Sequence, residues 1–211
     1  MVIASQPGTV RAEEVRTWGQ LVRVFAHSGS GRVLAATAAG AVPARLALGR
    51  WSPGDGAAAA IGLGLAGPAE WLIHRHLFHA PADSGRRRAG LGADHARHHA
   101  DPGDLGWLLL SPGGAVVLLV AAGGLSTLWS LPLARLVGSG HRAPVVLTGA
   151  LTAWWAVGHY EWFHLRCHSR QRPRSARARR RVADHLRHHH RDPGRWLGVT
   201  SSLGDRLFGT A

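Results

Sequence analysis

The stretch His95-Ala96-Arg97-His98-His99 is a histidine box, and His185-Leu186-Arg187-His188-His189 repeats its pattern later in the chain. The spacing H-x-x-H-H matters because residues i, i+3 and i+4 share one face of a helix. Each box therefore predicts a helix that aims three imidazoles at a single point.

Two further histidine pairs flank apolar segments. His164 and His168 are i and i+4, so their side chains are expected to project together from a helix. His74 and His79 have the spacing H-x4-H and point about 140° apart on an ideal helix. They bracket one site only if that helix frays, or else they serve two adjacent metals. His76 is an alternative ligand in this pair.

These four clusters hold ten of the 15 histidines, which predicts a metal centre. Neutral imidazole suits zinc, copper and iron. Ten ligands exceed what one ion uses, so two ions are expected. A structural zinc site closes with four ligands, and histidine-rich transport loops are low-complexity runs without helical spacing; both alternatives fit less well. The predicted metal ligands are His74, His79, His95, His98, His99, His164, His168, His185, His188 and His189.

Several acids lie next to the boxes and are candidates to orient the imidazoles. Ligating imidazoles usually donate their other N–H to a carboxylate or a carbonyl. A helix cap or a solvated charge is an equally good interpretation of each acid. The acids are Asp94, Asp101, Glu161, Asp184 and Asp192. Outside the boxes, His27, His141 and His159 are expected at the surface or a membrane interface, and His190 is expected to be a bystander.

The composition restricts the classes of site. The net charge is +13, and all 25 basic residues are Arg. The absence of Lys and Asn indicates a GC-rich gene. We expect the protein to lie in a bacterial cell membrane. The single cysteine, Cys167, excludes an internal disulfide and a Cys-based zinc site. We interpret it as a small buried apolar residue.

Four stretches are poor in charge, whereas a full membrane span needs about 20 apolar residues. The first, second and fourth are short by that measure, but they are rich in the small residues that suit packed membrane helices. A soluble helical bundle is the alternative. The sequence predicts an all-α integral membrane protein with about four transmembrane helices in two hairpins. The stretches are Val33–Leu48, Gly56–Ile73, Leu108–Leu133 and Pro144–Gly158.

The arginines are distributed unevenly across this topology. One side receives 21 of them, and the other receives Arg45, Arg50, Arg135 and Arg142. The positive-inside pattern puts the basic side, with all four histidine clusters, in a cytoplasmic helical cap. The Arg-rich run of residues 166–195 also resembles a nucleic-acid-binding segment. Anionic lipid headgroups explain the charge more simply, so no nucleic-acid partner is expected.

The chain is expected to form one membrane domain, residues 31–211, after an N-terminal segment, residues 1–30. That segment is moderately amphipathic, so it is either an interfacial helix or a loose tail. Its acids, Arg and Gln do not form the apolar core of a signal peptide, and none is expected.

Residues 67–210 resemble the fatty acid hydroxylase superfamily, which also includes sterol desaturases and carotenoid hydroxylases. His74–His79 is similar to the family's H-x4-H at the end of its second membrane helix. The two H-x-x-H-H boxes and the segment Tyr160–His168 match its other motifs. The closing segment Leu197–Thr210 resembles the family's ending, except that Gly204 stands where the family has the Trp of a Trp-Asp pair.

The resemblance implies a di-iron site that activates O2 and inserts one oxygen atom into a C–H bond of a lipid, in lipid biosynthesis. Zinc is the alternative metal. The sequence shows no heme, flavin or iron–sulfur motif, so an external electron donor protein is expected as a partner. Carotenoid hydroxylation and sterol-type desaturation use the same site and stay open.

A multipass metal-binding or transport protein without enzymatic activity is the alternative of another class. Ionisable residues within membrane spans mark ion pathways. Glu70 is the one such residue in the second, third and fourth stretches. This scarcity favours the enzyme.

Overall fold

The computed structural model describes residues 10–81 and 90–211. Within these residues the secondary structure is helical, apart from an isolated β-bridge between Arg11 and Asp104. The all-α prediction is confirmed for this part of the chain. The helices are α1 (Trp18–His27), α2 (Gly29–Leu48), α3 (Pro53–Ile73), α4 (Leu91–Ala100), α5 (Pro112–Leu136), α6 (Arg142–His168), α7 (Ala176–His190) and α8 (Leu203–Phe208), with a π-turn at His74–Phe78 and 3-10 turns at Ala12–Glu14 and Ser139–His141.

Four long helices, α2, α3, α5 and α6, form a bundle in which α6 packs against the other three. Two helical stretches in the described residues, Pro53–Phe78 and Pro112–Leu136, are long and apolar enough to cross a membrane. The first and fourth predicted spans lie within α2 and α6, which do not meet that criterion. The reason lies in their composition, because α2 consists largely of Ala and Gly, and α6 continues into the polar residues 159–168.

Small residues allow the bundle helices to approach closely. A Cβ added at Gly62 would lie 2.9 Å from Cγ2 of Thr152, and one at Gly149 would lie 2.7 Å from Cβ of Ser130. Small residues at such contacts are typical of helices packed in a membrane, where apolar burial alone does not drive association.

Local capping explains where the helices begin. The Ser28 hydroxyl accepts the Gly31 N–H at 2.9 Å and starts α2, and the Ser111 hydroxyl accepts the Gly114 N–H at 3.2 Å and starts α5. Pro112 occupies the first turn of α5, where its missing N–H costs nothing. The predicted start of the third span at Leu108 was therefore wrong.

The described part of the N-terminal segment packs against the cap, the region formed by α4, α7, α8 and the end of α6. Val15 and Leu21 are buried with Leu105 and Leu165. The Trp18 ring stacks on Trp162 with centroids 6.0 Å apart. Residues 1–9 lie outside the described residues, as do Arg86–Arg88 of the predicted basic side, and the domain boundary at residue 30 stays a prediction.

Candidate metal centre

The ten predicted ligands lie in two groups of five, both in the cap. Within each group one ring nitrogen per histidine falls within 4.8 Å of all the others. The first group is His74, His79, His95, His99 and His188, and the second is His98, His164, His168, His185 and His189. Helices α4, α6 and α7 contribute eight of these histidines, and the π-turn that follows α3 contributes His74 and His79.

Each H-x-x-H-H box divides its histidines between the two groups. His95 and His99 reach the first group, whereas His98 reaches the second. In the other box His185 and His189 reach the second group and His188 the first. The expectation that each box aims three imidazoles at one point was therefore wrong. Residues i and i+4 of each box reach the same group. Residue i+3 lies on the same broad face of the helix but reaches the other group.

A π-turn brings His74 and His79 together. The His79 N–H donates to the His74 carbonyl at 3.0 Å, the i to i+5 bond of a π-helix. The two rings lie 5.0 Å apart in the first group. The helix does not need to fray, and the two histidines do not need to bind separate ions. The extra residue per turn of the π-turn removes most of the angle between the two side chains.

The spacing of the nitrogens fits metal coordination. In the first group His95 Nε2 lies 3.1 Å from Nε2 of both His74 and His79. In the second group His185 Nε2 lies 2.9 Å from His168 Nε2 and 3.1 Å from His189 Nε2. Two nitrogens about 2.1 Å from one ion and about 90° apart would be about 3.0 Å from each other. The donor set therefore suits an ion in each group.

The protons of two imidazoles are fixed on the side away from the groups. His74 Nδ1 donates to the Leu197 carbonyl at 2.6 Å, and His188 Nδ1 donates to the Arg195 carbonyl at 2.8 Å. A carbonyl only accepts, so each Nε2 of the neutral ring presents a lone pair to its group. Lone pairs that face one another repel, and a cation between them removes that repulsion.

His164 indicates that the second group also needs a cation. The residue is 1% exposed, and neither of its ring nitrogens has a hydrogen-bond partner in the described structure. A buried polar atom without a partner is costly. A metal ion bound by the group would supply a partner for one of these two nitrogens.

Burial keeps the cap imidazoles neutral. It lowers the pKa of His95, His98 and His185 well below the usual value, and the neighbouring imidazoles lower these pKa values further. Because a metal binds the neutral ring, these side chains are ready to coordinate at neutral pH.

Comparison with known proteins agrees with this arrangement. Residues 59–210 match the family model described as Fatty acid hydroxylase. The chain belongs to the fatty acid hydroxylase family. Two relatives in Arabidopsis thaliana are the dihydroceramide fatty acyl 2-hydroxylases FAH2 and FAH1, which are 31% and 27% identical to this chain over 143 residues. These matches cover 67% of this chain and 54% of each relative, so the chain spans about half the length of these relatives.

A solved structure titled "Full length scs7p (only hydroxylase domain visible)" has a similar fold. Its TM-score is 0.64 at 20% sequence identity, and the match covers 92% of this chain and 70% of that chain. At this identity the likeness concerns the fold alone.

The departure from the family ending at Gly204 has a structural reason. A Cβ at Gly204 would lie 2.4 Å from Cβ of Trp71 and 3.0 Å from the Gly67 carbonyl. The Trp71 ring stacks on Phe208 at 4.2 Å, and its Nε1 donates to the Thr210 hydroxyl at 2.8 Å. Trp71 of α3 therefore fills the space beside Gly204 in this member of the family.

The acids next to the boxes contact arginines and backbone N–H groups. Asp94 and Asp184 pair with arginines of their own helices, Asp101 pairs with Arg11, and Asp192 accepts a backbone N–H in its own turn. Glu161 accepts the Leu110 N–H at 2.9 Å. Backbone carbonyls instead take the N–H groups of His74 and His188. The interpretation as solvated charges also fails for Glu161, which is 1% exposed, and for Asp184, which is 9% exposed.

Sequence reasoning missed the acids that hold the tail segment, residues 195–210. Glu70 accepts the backbone N–H groups of Val199 and Thr200, the latter at 2.9 Å, and the Thr200 hydroxyl. Asp205 accepts the Leu197 N–H at 2.8 Å. These contacts fix the Leu197 carbonyl that orients His74. Glu70, the ionisable residue found within a predicted span, thus anchors the segment that carries this carbonyl.

A small cavity of about 20 Å³ lies beside both groups of histidines. His95, His164, Tyr160, Trp107 and Phe78 are among the residues that line it. The Tyr160 hydroxyl and Trp107 Nε1 are buried without a hydrogen-bond partner in the described part of the chain. The cavity has room for about one water-sized molecule. Tyr160 begins the segment Tyr160–His168 that resembles a family motif, but the sequence alone indicated no role for this residue.

The remaining histidines lie outside both groups. His76 is exposed beside the Trp71 ring, and His190 and His27 are also exposed. The half-buried His159 ring stacks on Trp155 at 5.0 Å. Cys167 is a buried free thiol packed with Phe163 and Val199, as its interpretation as an apolar residue predicted.

Proposed function

We propose that this chain is a membrane-bound, O2-dependent hydroxylase of a fatty acyl lipid, and that its ten histidines hold two iron ions. The observation that carries the proposal is the convergence of these side chains, in a member of the fatty acid hydroxylase family, into two groups with ligand-like spacing. The names of the two plant relatives support a fatty acyl substrate, with carbon 2 as the expected position of hydroxylation.

The proposed membrane arrangement uses α2, α3, α5 and α6 as four crossings. An α-helix of 20 residues is about 30 Å long, the thickness of the hydrocarbon core. Apolar side chains face outward from the bundle, including Val120, which is 70% exposed, and Leu128, which is 72% exposed. Such side chains on several helices suit a lipid environment better than water. The arginine asymmetry supports a cytoplasmic cap.

Two bound iron ions would supply the activation of O2, the insertion of one oxygen atom into a C–H bond and the release of the other as water, with two electrons from outside. The protein supplies the positioning. Three helices and the π-turn after α3 hold the imidazoles, and helices fix a site more rigidly than loops do. The carbonyls of Leu197 and Arg195 set the orientation of two of the rings.

The small cavity is the proposed point at which the acyl chain meets the histidines, and because it has room for about one water-sized molecule, its lining side chains move apart to admit the chain. It borders His95 of the first group and His164 of the second, and Phe78 and Leu109 line it with apolar surface. These side chains exclude bulk water from the reacting carbon, which protects a reactive oxidant from side reactions. We propose that the acyl chain enters from the membrane, and that the electrons come from a donor protein outside this sequence.

The test is a lipid analysis of cells that do or do not express the chain, grown under isotopically labelled O2. The expected product is a hydroxylated acyl lipid that carries one labelled oxygen, with fragmentation locating the hydroxyl at carbon 2. A hydroxylated carotenoid or a desaturated sterol would replace the substrate class proposed here. A metal-loaded protein that yields no oxidised lipid would support a non-enzymatic metal-binding protein instead. The metal content of active preparations shows whether the protein uses iron or zinc.

A further inference from the structure

A basic groove of about 580 Å³ lies on the cap, away from the histidines. Four arginines, two serines and one leucine line it: Arg177, Arg180, Arg181, Ser201, Ser202, Leu203 and Arg206. The arginines come from the start of α7 and from α8, so the groove is formed only when the tail segment has folded against α7.

The charge of the groove is not balanced from within the described residues. Arg181 pairs with Asp184, but no ion pair is found there for Arg177, Arg180 or Arg206. Three guanidinium groups around one concavity repel one another. An anion bound among them relieves this repulsion, and a phosphate matches the planar guanidinium fork.

The groove lies beside the second half of α3. Gly67 is close enough to α8 that an added Cβ would lie 3.1 Å from the Ser201 hydroxyl oxygen and 3.4 Å from Cβ of Leu203. Leu207 of α8 is 62% exposed, and Phe208, whose ring stacks on Trp71 of α3, is 45% exposed. An arginine-lined groove with an apolar edge suits a phosphate that is attached to acyl chains.

We propose that this groove binds a phosphate group, with the headgroup of an anionic phospholipid as its source. The volume favours a headgroup, because an inorganic phosphate would fill only a small part of a cavity of this size. Anionic lipids also attract basic segments at the cytoplasmic membrane surface. The inference goes beyond the proposed hydroxylation, and its test does not require turnover.

The test is a binding titration of the purified full chain in neutral detergent with phosphatidylglycerol, phosphatidylcholine and inorganic phosphate as probes. The groove variant is R177Q/R180Q/R206Q. The matched control is R172Q/R174Q/R191Q, which removes the same charge from exposed arginines of the same region that do not line the groove. The single variants R177Q and R206Q serve if the triple variant does not fold.

Phosphatidylglycerol is expected to bind more tightly than phosphatidylcholine, and the groove variant is expected to weaken that binding at least about ten-fold, with the control close to wild type. Displacement of the lipid by inorganic phosphate would support the phosphate site with a free phosphate as its ligand. Equal weakening in both triple variants would overturn the proposal in favour of diffuse attraction. The proposal would also be overturned if the chain bound both lipids equally and the groove variant, but not the control variant, lost binding to an acidic redox protein.

Discussion

Arg45 and Asp55 form a buried ion pair at the end of the bundle opposite the histidines. Arg45 Nη2 and Asp55 Oδ1 are 2.7 Å apart, and the two side chains are 3% and 6% exposed. The Thr148 hydroxyl contacts both residues at 2.7 Å, so the pair joins α2, the start of α3 and α6. Arg45 is one of the four arginines assigned to the membrane side opposite the cap. Because it is buried in this ion pair, it is a structural residue of the bundle.

Removal of one partner of this pair should destabilise the protein strongly. R45M leaves the Asp55 carboxylate buried without its cation, and loss of one partner of a buried pair costs about 3–5 kcal/mol. Thermal unfolding in detergent measures the effect, and the exposed Arg50 provides the control R50M. The double variant R45M/D55L should regain much of the loss. An R45M protein as stable as wild type would show that the pair does not hold the helices together.

Loss of one histidine from either group should abolish hydroxylation. H188A removes a ligand from the first group and H98A removes one from the second, so each is expected to lower the metal content and eliminate product while membrane insertion persists. The controls H76A and H190A change exposed histidines adjacent to the same boxes. Metal analysis and lipid chromatography provide the measurements. Turnover in H98A or H188A would count heavily against the site assignment.

Glu70 should act on the metal centre through the tail segment. E70L leaves the N–H groups of Val199 and Thr200 unpaired and frees the Leu197 carbonyl that orients His74. Loss of such indirect support typically lowers metal affinity by about 10–100-fold. E70Q can still accept both N–H groups, so it should retain most of the metal. Metal content after dialysis against a chelator separates the two variants, and equal retention in E70L and wild type would exclude this positioning role.

The contact between Gly204 and Trp71 should not tolerate a methyl group. G204A places a carbon 2.4 Å from Cβ of Trp71, and overpacking of this kind costs about 1–3 kcal/mol. Gly64 in the interior of α3 has open space around its missing Cβ, so G64A is a matched control with little expected loss. A drop in the unfolding temperature confined to G204A is the expected result. An unchanged temperature in G204A would mean that α8 moves away from α3 easily.

The proposed topology predicts that residues 50 and 191 lie on opposite sides of the membrane, because three crossings separate them. Cysteines introduced as Arg50→Cys and Arg191→Cys can be labelled with an impermeant maleimide in intact cells, since the native Cys167 is buried. Only Arg50→Cys should react before the cells are opened. Labelling of both from outside contradicts the four-crossing arrangement.

The chemistry of the site was accessible from sequence because metal ligation restricts residue type and spacing so tightly. His164 and His168 could be paired from the i, i+4 rule alone. The division of His98 from His95 and His99 could not, because it depends on how α4 crosses α6 and α7. The role of Glu70 was equally hidden, since its partners Val199 and Thr200 are far away in the chain.

The fold was less fully predicted than the site for a related reason. Span prediction relies on summed apolarity, and α2 and α6 carry too much Ala, Gly and polar sequence to give a clear signal. The start of α5 depends instead on the Ser111 cap, a local hydrogen bond. The π-turn after Ile73 depends on one extra residue in a helical turn, which no apolar periodicity reveals.

The division of each box between the two groups affects the order of biosynthesis. His188 belongs to one group and His185 and His189 to the other, so both groups are completed by the same late helix. Without α7 the first group keeps four of its five histidines and the second keeps three, so neither set of ligands is complete. The proposed two-iron centre would therefore reach its full set of ligands only once α7 has been synthesised and has folded against α4 and α6.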